Sequence, residues 1–566
     1  MRKSVGADVI RVLPLLWSGA LAVVMLGGAL RPGYVLSYDM VWVPDLTLGS
    51  HVLGLGSALP RAIPSDAVVA ALDEVLGGAL LQKLILLGML TGAGAGFGAL
   101  VREHTLGARL VVVTLGVWNP FVVERLLLGH WPLLIGYAVL PWLVVALRTG
   151  TPDTLPLRVL PLLVVGSLSA SAGVMTGLAV LAVSGRGPVR RTCLLVVGLL
   201  AANAPWILAG LTSPARTVSD PAGAVAFGTA DEGLMTGPVA ALSFGGIWNA
   251  DVVPASRLGV AGVALTVLLV AAVVVGIALV VRGARVQDLG ALTVCWCAGW
   301  GLAVLSWAAP GSLGWLGEHV PGGGLLRDGS RLLGLAVPLV AVLVAVAVDG
   351  LLARLPERAS RLVAAGALAL VPLTLMPDAV WGMRGQLSAV SYPAEYDEAR
   401  RAVSQAPPGD AVSLPFESYR APEWNGYHRV LDPLGRYLDR HTVVNDVLVV
   451  SGRRLVGEDP RAVAVGRALE APSPAGRSAA LRAAGISVVV LEEIDGYPVP
   501  ALAGERVVDG DLSVVVVGPA AVPARSIGRA AVTGLGWVAW LSALGWPLVV
   551  LLARRAAQRR RSGSPE

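Results

Sequence analysis

The sequence predicts an α-helical polytopic membrane protein of about twelve transmembrane helices, with one small extracytoplasmic α/β domain. Apolar stretches close to the ~20 residues that cross a bilayer recur along most of the chain. Basic residues collect at every second gap between them, at 102–109, 148–158, 186–191, 282–285 and 354–361, and again in the tail from Arg554. Cytoplasmic loops gather such charges because the inner leaflet is anionic and the charges resist translocation. One long interval, 380–525, departs from the apolar pattern altogether.

Composition agrees. Of 566 residues 55% are hydrophobic and 14% charged, against roughly a quarter charged in a soluble chain. The mean hydropathy is +0.71. A net charge of +6 does not signal nucleic acid, because the surplus sits in short loops beside apolar stretches, where anionic membrane lipids are the partner. Only Lys3 and Lys83 among the 44 basic residues are lysine, a bias that with the abundant Ala, Gly and Val suits a GC-rich bacterium and its plasma membrane. Cys193, Cys295 and Cys297 lie inside apolar stretches and make neither a disulfide framework nor a metal site.

Taken in order, helix 1 is expected over about 9–30. Met1-Arg2-Lys3 imitates a signal peptide, but the apolar run exceeds the roughly 7–15 residues of a signal core, so it reads as a retained helix. An outer loop, 31–76, precedes helix 2 at about 78–100. Two crossings follow within 109–147, broken by Trp118-Asn119-Pro120 and by a polar hairpin holding Glu124, Arg125, Gly129 and His130. The stretch 157–184 fits one tilted helix or two short crossings. Parity selects two, since one crossing would put four later basic clusters outside. Helix 7 covers about 192–212, and a second outer loop 213–258. Helices 8 and 9 cover about 259–281 and 288–308, and a third outer loop 309–331. Helices 10 and 11 cover about 333–352 and 361–378, and the last about 529–552.

Both termini are thus expected in the cytoplasm and 380–525 outside, dividing the chain into 1–379, 380–525 and 526–566. Within 380–525, helical patterns at 394–405, 459–470 and 475–484 alternate with strand-like runs at 411–416, 442–450, 486–492 and 512–517, which argues for an α/β unit.

The outer loops hold most of the candidate chemistry. Asp39 and Asp45 follow the first helix closely. A carboxylate at the membrane interface is partly desolvated, so its pKa can rise and it can act as a general base; a solvated loop anchored by Trp42 has the same spacing. In the second loop Trp248 and Asn249 follow Gly245-Gly246, presenting a ring and an amide suited to a sugar, although interfacial turns look alike. Arg327 and Arg331, flanking Asp328, offer planar bidentate donors to a phosphate or form a simple Arg–Asp turn. Glu124, Arg125 and His130 are ionisable groups beside membrane helices, where such groups face a cavity or pair with each other. Tyr419 with Arg420, and Trp424 with Asn425, are aromatic–polar mixtures that suit a glycan or a plain solvated surface. Neither a Walker sequence nor a serine elbow nor zinc spacing is present, so any donor arrives by way of the membrane.

Several segments together resemble the bacterial polytopic glycosyltransferases of the GT-C fold, in particular the actinobacterial arabinofuranosyltransferase-like branch. They are Ser37-Tyr38-Asp39, the stretch WNPFVVERLLLGHW at 118–131, GYAVLPW at 136–142, NAPW at 203–206, GGIWN at 245–249 and LLRDGSR at 325–331, which punctuate about 300 residues in the expected order. The resemblance implies a polyprenyl-phosphate-linked sugar donor, an envelope glycan or glycolipid acceptor, and an acidic base at Asp39. Asp45 would assist it or hold a divalent cation, and Arg327 and Arg331 would contact the donor phosphate. The chain is short for this branch, and 380–525 lacks an evident β-sandwich carbohydrate module. A non-catalytic assembly scaffold or a lipid or glycan transporter stays open beside the enzyme.

Overall fold

The computed structural model describes residues 2–151, 154–185, 188–215, 218–522, 524 and 526–562, without the side chains of 2–11 and 556–562. Arg186 of the third basic cluster and Arg216 of the second loop lie outside the described residues. Ten described helices are long and apolar enough to cross a membrane. Two are central: Leu106–Leu127 and Gly329–Leu352 are largely buried inside the protein. Val260–Val281, Arg358–Leu375 and Ile527–Arg555 keep most of their apolar surface uncovered, as helices do whose outer neighbour is lipid.

The ambiguous stretch resolves into a hairpin of two shorter helices, Leu155–Val165 and Ala170–Ser184, each below the ~20 residues of an upright span. The Thr176 hydroxyl donates to the Gly166 carbonyl at 3.2 Å across the bend, and Ser171 beyond it accepts from Arg331 at 3.3 Å. The bend thus sits at the end of the bundle that carries the loop 309–331. At the other end, Arg191 donates to the Leu147 carbonyl at 2.6 Å. The chain therefore returns to the end of the bundle it left.

Other elements differ from expectation locally. Asn119 caps the helix Pro120–Leu127 by accepting from Val122 N–H at 3.1 Å, and Pro120 at the first helical position has no N–H to leave unpaired. The break therefore restarts the helix instead of ending the crossing. Glu124 and Arg125 consequently lie on a buried helical turn, not in the polar hairpin expected from the sequence, which shrinks to residues 128–130. The loops 31–76 and 309–331 also contain helices of their own, Ser65–Leu76 and Pro310–His319.

In the region after Arg358–Leu375, helices form at Ala394–Gln405, Pro460–Leu469 and Pro474–Ala483. A five-stranded mixed sheet has the order Glu505–Val508, Leu512–Val516, Ile486–Glu492, Asp410–Leu414, Thr442–Val443. Strand Asp410–Leu414 runs parallel to both of its neighbours. Alternation sets its two faces: Val412, Leu414, Val489 and Leu491 pack with Val465 and Leu481 of the helices, while Ala411, Val488 and Val490 join the large core that continues into the bundle.

This region is stitched to the first loop. Tyr34–Val35 pairs antiparallel with Ala389–Val390; Tyr38 N–H donates to the Arg429 carbonyl and Leu431 N–H to the Tyr38 carbonyl, both at 2.8 Å. Trp424 packs against Tyr392 and Tyr396, with ring centroids 5.1 and 5.4 Å away, so its ring seals this seam and is not a glycan-binding surface. Arg420 is likewise buried between Asp432 and Glu492.

Candidate active site

Asp39 sits in a tight turn in which Ser37 and Met40 exchange backbone hydrogen bonds. The turn is pressed onto the hairpin: Asp39 N–H donates to the Leu128 carbonyl at 3.2 Å, and the Ser37 hydroxyl to the Leu127 carbonyl at 2.5 Å. Gly129 makes this approach possible. Its φ is +82°, and a Cβ there would lie 2.2 Å from the Met40 nitrogen, so a side chain would push the turn away.

The carboxylate is partly open, with 42% of the side chain exposed. His130 Nε2 lies 3.1 Å from Oδ2, and the Tyr419 hydroxyl donates to Oδ1. Burial works to raise the Asp39 pKa, but the hydrogen bond and charge of His130, the Tyr419 hydroxyl and the Arg331 charge outweigh it and hold the carboxyl at about 2. This reverses the raised value expected for an interfacial carboxylate. Burial and the Asp39 charge push the Tyr419 hydroxyl well above its usual range, so it stays a donor.

Behind His130 lies a closed polar layer. Arg125 forks onto Asp328 at 2.7 and 2.9 Å and reaches the Ser330 hydroxyl at 2.7 Å. The same guanidinium lies 3.3 Å from His130 Nδ1. A guanidinium only donates, so Nδ1 must accept; Nε2 then carries the proton and donates it to Asp39. Burial and the Arg331 and Arg125 charges lower the His130 pKa against the opposing pull of Asp39, which favours that neutral tautomer. Gly329 places Asp328 and Ser330, because a Cβ at 329 would lie 2.1 Å from that of Ser306. Burial opposes ionisation of Asp328, and Arg125 and Arg331 overcome it, depressing its pKa.

A looser cationic layer faces the other way. The Arg327 guanidinium lies 4.6 Å over the Phe227 ring and 3.9 Å from Glu458. Glu458 also pairs with Arg61 and accepts from the Ser219 hydroxyl at 3.1 Å. Burial, together with the like charge of Arg61, lowers the Arg327 pKa to about 10, and the ion remains charged at neutral pH. Two arginines thus share one carboxylate, with Arg331 adding to the local positive charge.

The structure therefore brings Asp39, His130, Arg125, Arg331 and Arg327 to one end of the bundle, where the loops 31–76, 213–258 and 309–331 converge. It does not bring the others into that constellation. Asp45 pairs with Arg400 at 2.7 Å, and Arg400 also holds Asp439. Among the described residues no group of three His, Cys, Asp or Glu side chains is gathered to hold a metal, so the residues present do not fit a protein-held divalent ion at Asp45. Trp248 meets Phe227 edge-on at 4.8 Å and packs with Val450 and Leu455. Asn249 accepts from Asp251 N–H at 3.2 Å, capping a local turn. Glu124 is buried beside the Glu232–Arg257 pair, not paired with Arg125, and its Oε1 has no hydrogen-bond partner.

The sequence reading missed Arg61, Ser171 and Glu458, and gave Tyr419 no catalytic role. Arg61 does carry a signal, an arginine in a loop expected outside, against the inside bias. Ser171 and Glu458 carry none.

A helical bundle with these loops gathered at one end, beside a small mixed-sheet unit, is a fold the chain shares with a solved arabinofuranosyltransferase. The chain is similar to the cryo-EM structure of arabinofuranosyltransferase AftD from mycobacteria, with a TM-score of 0.51 and 17% identity over 90% of this chain and 40% of that one. A structure of a mutant of that enzyme, its class 2, gives 0.50, 16%, 90% and 41%. The chain spans about two fifths of the length of the enzyme it matches. No protein-family model and no curated protein sequence matches it.

Proposed function

We propose that the chain is a membrane glycosyltransferase of cell-envelope synthesis, moving a sugar from a polyprenyl-phosphate donor to a glycan or glycolipid acceptor. The reaction would take place on the extracytoplasmic face of a bacterial plasma membrane, with both termini cytoplasmic. The observation that carries this reading is the partly open Asp39 carboxylate, held by His130 and Tyr419 with Arg331 beside it. The GT-C fold shared with AftD supports it.

In this reading the acceptor hydroxyl gives its proton to Asp39 while its oxygen bonds to the anomeric carbon. The bond from that carbon to the phosphate oxygen breaks, and polyprenyl phosphate leaves with the electron pair. Arg327, Arg331 and Arg61 meet the charge that develops on the phosphate, the role in which fixed donors count most. Asp39 stays ionised at physiological pH and is available as an acceptor of the proton. His130, oriented by Arg125, and Tyr419 fix the carboxylate in place.

The test is Asp39→Asn in purified protein in nanodiscs, supplied with polyprenyl-phosphate arabinofuranose and a cell-wall glycan acceptor. Transfer should fall by roughly 10²–10⁴-fold, the usual contribution of a general base, in a variant that stays folded at the assay temperature. A folded variant that transfers at the parental rate ends the proposal. One observation favours a scaffold instead: both Asp39 oxygens already have donors. A scaffold would show no transfer in the parent, and Asp39→Asn would then alter only stability or partner recovery.

A further inference from the structure

A second surface lies on the far side of the Ser37–Met40 turn. It is a cleft of about 300 Å³, at the small end of the ~300–1,000 Å³ range of small-molecule sites. Its walls include Tyr38, Asp251, Gln386, Tyr427, His428 and Arg429. The first loop, the second loop and the sheet-bearing region each contribute, so the cleft exists only in the assembled fold.

Three properties mark it as built for a ligand. Tyr427 is 59% exposed although its backbone is left-handed at φ 58°, an uncommon conformation for a bulky residue. Backbone strain of this kind persists where the surrounding structure enforces it, and it clusters at ligand sites. The side chains of Gln386, Tyr427 and His428 make no hydrogen bond to other described residues, which leaves two rings and an amide free to donate and accept. Asp251 and Arg429 lie 3.5 Å apart, both largely exposed, and Asp251 also accepts from the Tyr38 hydroxyl at 3.2 Å. Both contacts are long and readily exchanged for a ligand's hydroxyls.

We propose that this cleft binds the neutral acceptor glycan, with Tyr427 stacking on a sugar face while Asp251, Arg429, His428 and Gln386 hydrogen-bond its hydroxyls. The mixture of an exposed ring with carboxylate, guanidinium, amide and imidazole matches a ligand that has apolar faces and many hydroxyl donors and acceptors. Leu127 and Val252 also line the cleft, but a prenyl chain would leave Asp251, Arg429 and Gln386 without partners, and a phosphate would be opposed by Asp251. The inference rests on the transferase reading for its role, and the cleft adjoins the turn that carries the proposed base, since its wall includes Ser37 and Tyr38.

The experiment measures binding without turnover. Full-length protein in nanodiscs is titrated by calorimetry with a synthetic arabinofuranosyl oligosaccharide, a mannosyl oligosaccharide and inorganic phosphate, in the parent and in Asp39→Asn, Tyr427→Gly and Asp251→Asn. Tyr427→Gly removes the ring and relieves the left-handed backbone, so folding is not at risk. At least one oligosaccharide should bind the parent and Asp39→Asn equally, and Tyr427→Gly and Asp251→Asn should each weaken it by roughly tenfold or more. Absence of oligosaccharide binding, binding indifferent to both cleft variants, or a cleft that prefers phosphate overturns the inference. If Asp39→Asn remains active while the cleft variants lose binding, the proposal for Asp39 fails and the glycan site stands.

Discussion

The loop 325–331 contributes to two arginine–carboxylate clusters, and the two are built differently. Asp328 faces inward to Arg125 in a pair whose side chains are each 1% exposed, with bidentate geometry and Ser330 as a further partner. Arg327 lies 3.9 Å from Glu458, over an aromatic ring and beside a second arginine, Arg61, that is half exposed. The first cluster is saturated by its own partners. The second has more positive charge than Glu458 neutralises. A buried, complete pair positions its neighbours; an open cluster with a surplus of donors is arranged to receive something. The same seven-residue segment therefore links the orientation of His130 to the site proposed for the donor phosphate.

The largest expected effect comes from breaking the closed cluster. Arg125→Ala leaves Asp328 buried and without its bidentate partner, a loss of about 3–5 kcal/mol, read as a large drop in unfolding temperature in detergent. Replacing both partners, Arg125→Met with Asp328→Leu, should restore much of that stability, because paired apolar groups carry no desolvation cost. Transfer should stay low in the double variant, since nothing then sets the His130 tautomer. Restored activity would show that the pair holds the fold and nothing more.

Breaking the open cluster should do the reverse. Arg327→Ala should leave the unfolding temperature nearly unchanged and weaken binding of a short-chain polyprenyl phosphate by roughly ten- to a hundredfold, the size of one lost charge-assisted hydrogen bond. Arg61→Ala should act in the same direction. Equal binding in parent and variants would remove the proposed distinction between the two clusters.

Proton linkage sharpens the comparison further. His130 takes up a proton in the unfolded chain near its ordinary 6.5, and in the fold only at lower pH. Between those values the unfolded state binds more protons, so stability falls as pH drops below about 6.5 and recovers above it. Asp39 adds a separate loss at far lower pH: its stabilisation is complete above the ordinary 3.8 and disappears as pH falls through about 2. His130→Gln should flatten the first decline and also shrink the second, because His130 does most to hold the Asp39 pKa down, measured as unfolding temperature across that range. An unaltered profile would mean that His130 is not the group being titrated.

Much of the bundle is readable from the sequence because lipid imposes length and polarity on each helix separately. The apolar runs and basic punctuation place the helices, and strand and helix patterns place the elements between Arg358–Leu375 and Ile527–Arg555. The site is less legible because its partners are far apart in the chain. Asp39 and Tyr419 meet across 380 residues, and neither residue's neighbours announce the contact. Glu124 and Arg125 look like a local pair, yet consecutive residues on a helix point in different directions, and they join different clusters.

Asp39 and Asp45 show the same limit at its clearest, and the smallest predicted effect follows from them. Both are acidic residues of one loop, six positions apart, and their local sequence assigns them equal promise. The fold gives Asp39 two donors, His130 and Tyr419, and a place at the meeting of the loops. Asp45, 53% exposed, receives Arg400, a cation shared with Asp439. An exposed ion pair contributes about 0–1 kcal/mol, and Asp439 keeps Arg400 neutralised when Asp45 is lost. Asp45→Asn should therefore change the unfolding temperature little and leave transfer within about twofold of the parent, with or without added magnesium. A loss of transfer comparable to that of Asp39→Asn, or a metal dependence that appears only in the parent, would place Asp45 back in the reaction and require the 31–76 loop to rearrange when substrate binds.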